Sequence, residues 1–441
     1  PAFGAGYDLP APDVWQAKWD NGLSVYGIQS DEVPLVNFSL RLDAGRLRNP
    51  LTAPALAGLT ADMLSKGTVN KTTAELEDAI GMLGSSISVT AGDTGTFVSG
   101  TTLSRNFDAT MDLVKEMLSA PRWDAEEFAT LKNQTLQAIT SADGNPNAIA
   151  RRENAKLQYS AQTPLHHTGG TGYGSASALE ALTLEDLKAF YSAHYTLNGA
   201  ALRIAGDYKP ADVKAAFDDS ALSAGPALPS VSPTLNPVTE ATVYLYDVAG
   251  AKQSVLNISR PSLAATDPDY PLAEAINFPL GGIYTSQLNT QLRVERGYTY
   301  GIRSRFDGDK DTGAFSVSSS VRSNVTKESI ELIRDILGNY GPDFTEEDLA
   351  ELKDALLRGQ ALKMETLADK LRMIGEIDAY GYAPDFRAQN AKAINAMTLA
   401  DVKRLAADYI RPDAMQYLVV GDAKSQGAAI ADIGLPVKRL D

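Results

Sequence analysis

Two similar, duplicated α+β domains, each a mostly antiparallel sheet with helices packed on one face and joined by a Pro-rich linker, are the fold class this sequence predicts. Three observations carry it. Residues 223–238 (SAGPALPSVSPTLNPV) set Pro226, Pro229, Pro233 and Pro237 among small residues, and they divide the 441-residue chain near its middle. Proline fixes φ and removes a donor, so this stretch is an extended linker rather than a helix or central strand. The segments Ala181–Tyr208 and Ala396–Ala423 then repeat one pattern at an offset of 215 residues. A second pair, Phe107–Ile139 and Val325–Gln360, repeats in the same order upstream of each, which is the signature of a duplication. The predicted units are 1–222, the linker 223–238, and 239–441.

In the first unit, Leu35–Leu42 alternates around Val36, Phe38, Leu40 and Leu42, the period of a half-buried strand. Thr72 and Glu75 form a capping box that opens a helix over Thr72–Leu83, with Leu76, Ile80 and Leu83 on one face. Ser86–Thr101 is rich in β-branched residues and interrupted by Gly92 and Gly95, which predicts a hairpin. Phe107–Ile139 reads as two helices, the first stopped at Pro121. Ala181–Tyr208 starts with Thr183 and Asp186 as a capping pair, runs helically to Tyr195, and ends in an apolar strand closed by Gly206-Asp207.

The second unit follows suit. Thr242–Val248, Ser254–Ser259 and Ala314–Val321 read as strands. Val325–Gln360 repeats the helix pair, with the stop at Pro342 and a capping pair at Thr345 and Asp348. Ala396–Ala423 repeats the last element, from Thr398 and Asp401 to Gly421-Asp422.

Composition narrows the function. Apolar residues make up 44% and charged residues 22%, an ordinary globular balance. No apolar run approaches the roughly 20 residues of a membrane-spanning helix. The net charge of −15 comes without a Lys/Arg cluster, so no nucleic-acid partner is expected. The absence of cysteine removes thiolate catalysis and Cys-ligated metal sites. There are three histidines. His166 and His167 are adjacent on a loop, where neighbouring side chains diverge, and His194 ends a helix as a terminal cation or a packed ring. No G-x-S-x-G, P-loop, dinucleotide-binding, H-E-x-x-H or H-x-x-E-H motif occurs. The chain begins Pro-Ala-Phe-Gly without Met, consistent with a removed export signal or a trimmed start.

Against this background the segment Met63–Thr68 (MLSKGT), the helical TTAELEDAIGMLG after it, and Leu292–Gly301 (LRVERGYTYG) resemble the pitrilysin-type zinc peptidases, the inverzincins. That family includes the subunits of mitochondrial processing peptidase. The resemblance runs from about Trp19 to Gly421. In the family's zinc-bearing domains H-x-x-E-H precedes the M-x-x-K-G-T stretch. Those positions here are Gly58, Ala61 and Asp62, and the third ligand is expected within Gln134–Ile139, at Ala138. All four functional side chains are replaced, so the resemblance implies no metal and no cofactor in this chain. It further implies that Arg293 and Tyr300 match a pair that binds the scissile carbonyl beside zinc held by another domain. Gly281 and Gly282 match a loop that handles substrate in the zinc-free processing-peptidase subunit, although a plain helix-to-helix turn fits them as well.

The expectation is the zinc-free subunit of a heterodimeric peptidase, with zinc and general base on an H-x-x-E-H partner and a peptide as substrate. Arg296 is expected to be replaceable. The alternatives are an inactive scaffold and a peptide-binding chamber without cleavage. The missing Met and the family's frequent export signals point to the periplasm, with the cytoplasm as the alternative.

Overall fold

The computed structural model describes residues 12–218, 224–359 and 364–440. The first eleven residues, Ser223 of the linker, Gln360 and Asp441 lie outside this set. Six strands from the first half form one sheet: β1 (Trp15–Lys18), β2 (Ser24–Gln29), β3 (Leu35–Leu42), β4 (Ser86–Ala91), β5 (Thr96–Leu103) and β6 (Ala201–Gly206). Six from the second half form another: β7 (Thr242–Asp247), β8 (Gln253–Ser262), β9 (Thr299–Gly308), β10 (Gly313–Arg322), β11 (Gln416–Gly421) and β12 (Val437–Arg439).

The spatial orders are β1-β2-β6-β3-β5-β4 and β12-β7-β11-β8-β10-β9. Apart from the outer strands β1 and β12, they match position for position. The parallel pair β2–β6 answers β7–β11, and the inner remainder is antiparallel in both. The sequence repeat is therefore a repeat of topology.

Local chemistry sets the element ends. Thr72/Glu75, Thr183/Asp186 and Thr398/Asp401 each form a full capping box, satisfying otherwise orphaned N–H groups. Val36, Phe38, Leu40 and Leu42 are buried, and they pack with the helices Leu56–Leu64, Phe107–Ser119 and Leu184–His194 into the first core. The first helix of the upstream pair ends at Ser119, before Pro121. Its counterpart differs from expectation, because Thr326–Asp343 runs through Pro342. The cost there is the one bond its missing N–H would have made back to the Gly338 carbonyl, and only one helical residue follows.

The sequence predicts helices on one face of each sheet, and the structure adds a cover on the other. The helix Leu367–Tyr380, from the second half, lies on β2, β3 and β6 of the first sheet. Its Met373, Ile374 and Ile377 pack with Ile28 and Ala205. The helix Pro146–Gln158, from the first half, lies on β8 and β11 of the second sheet. Its Ile149 and Ala150 pack with Leu418 and Val420. Each half thus lends a helix to the other. All of β11 is buried, which is why it reads as a continuous apolar run rather than an alternation.

The linker follows this junction closely. Asn236 Nδ2 donates to the carbonyls of Lys156, Leu157 and Tyr159 at 3.2, 3.0 and 2.9 Å, and Arg48 donates to Pro229 O at 2.8 Å.

One ion cluster anchors the exchange. Asp378, on Leu367–Tyr380, accepts from Arg203 Nη2 at 2.7 Å and Nε at 2.9 Å, and from Arg41 Nε at 3.1 Å. Its side chain is 5% exposed. Burial opposes its ionisation, but Arg41 and Arg203 together outweigh that and hold its carboxyl below the usual range. A depressed carboxyl stabilises the fold above the unfolded-state pKa of about 3.9 and loses that contribution as pH falls through the folded value. Asp378→Asn is expected to cost about 3–5 kcal/mol at pH 7, because two guanidiniums lose their counter-charge. In urea unfolding the difference between variant and wild type should shrink below about pH 4.

Candidate functional site

In the first half, Gly58, Ala61 and Asp62 lie on the helix Leu56–Leu64. Ala61 is fully buried. The space beside them is taken by Tyr173. A Cβ placed on Gly58 would fall 2.7 Å from Tyr173 Cε1, closer than real contacts allow. The phenol donates to Asp62 Oδ2 at 2.8 Å. Burial raises the Asp62 pKa, and the Tyr173 hydrogen bond, Lys66 and Arg46 only partly counter this. Tyr173 is itself pushed up by burial and by the Asp62 charge, so it remains a neutral donor.

This pocket does not fit zinc. A catalytic site needs three protein ligands and an open position, and here one carboxylate is already occupied by a phenol. Gln134–Ile139 offers no replacement. Ala138 is exposed, while Thr135 and Ile139 are the buried members of that stretch. Thr135 donates to Leu131 O at 2.8 Å. Among the described residues no group of three or more His, Asp or Glu could hold a metal ion.

The histidines have packing and hydrogen-bond roles. His166 Nδ1 and His167 Nε2 contact the carbonyls of Tyr159 and Ala161 at 2.8 and 2.9 Å. His194 meets Phe190 edge-on, with ring centroids 4.5 Å apart. Burial, followed by the Arg48 charge, lowers its pKa, so it is a neutral packed ring near pH 7 rather than a helix-terminal cation. The MLSKGT segment also has a structural role. Thr68 Oγ1 and Lys71 Nζ both reach the Glu116 carboxylate at 2.6 Å, tying the turn at Gly67 to the helix Phe107–Ser119.

Of the second half's expected residues, Tyr300 and Gly282 are exposed, Arg293 is half-buried and Gly281 is buried. Arg293 lies on a π-helix, Thr290–Glu295, a rare form associated with functional segments. The helix ends at Glu295, and Gly297 just beyond its cap has a left-handed φ of 61°, which comes without steric cost only to glycine. Gly297 N–H donates to Arg293 O at 3.1 Å, and Tyr298 N–H reaches Leu292 O at 2.8 Å. The chain then enters β9. The β9–β10 register skips one residue between Ser319 and Val321, opposite Tyr300. Such bulges re-aim a side chain.

The flanks of Tyr300 are fixed. Thr299 Oγ1 donates to Ser320 O at 2.7 Å, and Ser319 Oγ donates to Gly301 O at 3.0 Å. Tyr300 itself is 86% exposed. The Arg293 guanidinium lies 4.6 Å from the centroid of the Tyr284 ring. Among the described residues, Arg293 has no carboxylate within ion-pair distance.

Gly281 and Gly282 sit on a second π-helix, Phe278–Gly282, rather than a free loop. Gly281 is buried, and a Cβ there would fall 2.2 Å from Ser304 Oγ. Its small size is a packing requirement that seats the segment against β9. Asn277 completes the joint, donating to Ser304 O at 2.8 Å. Gly282 is exposed.

Sequence reasoning missed Tyr173, Thr299 and Tyr284. The one local signal for Tyr173 was its place between Gly172 and Gly174, both left-handed, in a glycine-rich turn.

Comparison with known proteins bears on both halves. A family model described as Insulinase (Peptidase family M16) matches residues 25–169, and one described as Peptidase M16 inactive domain matches residues 181–356. An uncharacterized zinc protease of Streptomyces coelicolor is 24% identical, over 85% of this chain and 83% of its own length. A non-peptidase homolog, YmxG, of Helicobacter pylori is 20% identical, over 72% and 73%. The crystal structure of a peptidase M16 inactive domain from Pseudomonas fluorescens superposes with a TM-score of 0.85 at 23% identity, covering 97% of this chain and all of that one. With both halves matched in order and the fold shared along their length, the chain belongs to peptidase family M16, as a member without the family's zinc-binding side chains.

Proposed function

We propose that the chain is the zinc-free subunit of a heterodimeric zinc metallopeptidase, contributing Arg293 and Tyr300 to a site whose zinc and general base lie on an H-x-x-E-H partner. The observation that carries this is the fixed presentation of the pair, an exposed Tyr300 and a half-buried Arg293. Tyr300 is 86% exposed between anchored neighbours, and Arg293 is held over Tyr284 without an acidic partner among the described residues. A residue built only for packing would not need a bulge to hold a bare phenol in solvent. A phenol and a guanidinium both donate to negative charge developing on a peptide carbonyl oxygen. The partner's zinc would polarise that carbonyl and activate water. Peptide is the substrate class the reading assigns.

A second reading, an inactive scaffold or peptide-binding chamber, draws support from two relatives. One is the Helicobacter pylori non-peptidase homolog. The other is a probable inactive metalloprotease, YmfF, of Bacillus subtilis, 31% identical over 26% of this chain. The two readings separate on activity of the assembled complex.

Two outcomes are expected. In the complex with an H-x-x-E-H partner, Tyr300→Phe should lower kcat for a test peptide by about 10²–10³-fold with KM little changed. Arg296→Gln should have no effect, and wild-type kcat in Tyr300→Phe would remove the role. Separately, Gly58→His with Ala61→Glu and Asp62→His should not create zinc binding in equilibrium dialysis, because the introduced imidazole collides with Tyr173. Zinc uptake by that variant with Tyr173 intact would show that the pocket is open.

A further inference from the structure

We propose that Tyr284 is a positioning residue for Arg293, and that the Gly281–Gly282 segment serves as the mount for this ring. The proposal rests on the composite-site reading above. Three of the large apolar side chains exposed in the molecule, Tyr284 at 60%, Val294 at 65% and Tyr300 at 86%, fall within seventeen residues of one another around Arg293. Their shared placement is not what burial would select, since Tyr284 gains little by packing.

What Tyr284 does is offer its ring face to a guanidinium at 4.6 Å, well within the roughly 6 Å at which a cation is attracted to a π-face. A long arginine side chain otherwise samples many rotamers. A planar ring beneath the guanidinium restricts it to one plane and leaves its edge N–H groups free to donate. A carboxylate partner would hold the arginine as well, but it would compete for those same donors. An aromatic platform orients the group without using its hydrogen bonds.

The platform is itself held. Gly281 admits the backbone against Ser304 of β9, and Ser286 N–H donates to Ile283 O at 3.1 Å in the turn that carries Tyr284. The same strand, β9, carries Tyr300. Arg293 is thereby referenced, through Tyr284 and Ser304, to the strand that aims the second donor.

The test uses the assembled complex and the isolated chain. Tyr284→Phe keeps the ring face and should match wild type in kcat and KM. Tyr284→Leu keeps apolar bulk without a π-face and should lower kcat by about 5- to 30-fold with KM little changed. In an Arg293→Gln background, Tyr284→Leu should have no further effect, because a residue acting through Arg293 is silent once Arg293 is gone. Unfolding by urea should be unchanged in both single variants.

In the isolated chain with labelled arginine, the Arg293 side-chain NMR signals should be shifted upfield by the ring in wild type and Tyr284→Phe, and return to ordinary values in Tyr284→Leu. An active complex with wild-type kcat in Tyr284→Leu overturns the positioning role alone. So does the absence of a ring-current shift, whatever the activity. A stable but inactive wild-type complex overturns the composite-site reading and the role with it.

Discussion

Everything else in this molecule depends on the burial of the second face of each sheet. A six-stranded sheet with helices on one side leaves an apolar surface on the other, and here neither half covers that surface with its own helices. The helix Leu367–Tyr380 covers the first sheet and Pro146–Gln158 covers the second. The exchange makes the halves mutually dependent, since separating them would uncover Ile28 and Ala205 on one side and Leu418 and Val420 on the other. Apolar contact supplies the driving force, and the charges add direction. One carboxylate, Asp378, meets two guanidiniums in a largely buried setting, and removing either kind of partner would leave a buried charge uncompensated.

The duplicated halves have diverged in opposite senses on this shared frame. In the first, the helix Leu56–Leu64 carries Gly58, Ala61 and Asp62 where the family resemblance places metal ligands, and Tyr173 fills the space beside them. Gly58 is what lets the ring approach, and Asp62 is what satisfies its hydroxyl. The pocket is filled by that ring, whose hydroxyl is tied to the Asp62 carboxyl. In the second half, the bulge in the β9–β10 pairing and the anchored flanks of Tyr300 keep a phenol in solvent. Packing closes the pocket in the first half, and hydroxyl-to-carbonyl hydrogen bonds fix the strand on either side of the exposed Tyr300 in the second.

Much of the fold was legible because it is written in local periods. Alternation marked Leu35–Leu42, and Thr with an acid three residues on marked helix starts at Thr72, Thr183 and Thr398. The topological repeat could be read from two ordered segment pairs. Pro342 misled by one residue, because proline removes a single bond to the carbonyl four residues before it and the helix closes at Asp343, directly after it. The π-helical form of Phe278–Gly282 and Thr290–Glu295 had no sequence signal, since it differs from the α-helix by a single hydrogen-bond step.

The site was legible only as an inventory of residue types. The sequence by itself determined that the chain is duplicated, because the repeat is written in identity and spacing along one dimension, and its resemblance to the peptidase family placed Gly58, Ala61 and Asp62 at the motif positions and Arg293 and Tyr300 at the paired ones. Tertiary structure alone decided that Tyr173 fills the vacant pocket from 111 residues away along the chain, that Tyr284 lies under Arg293, and that each half borrows a helix from the other. Those facts depend on which surfaces meet when both sheets bury their second faces, and local periodicity carries no information about partners so distant in the chain.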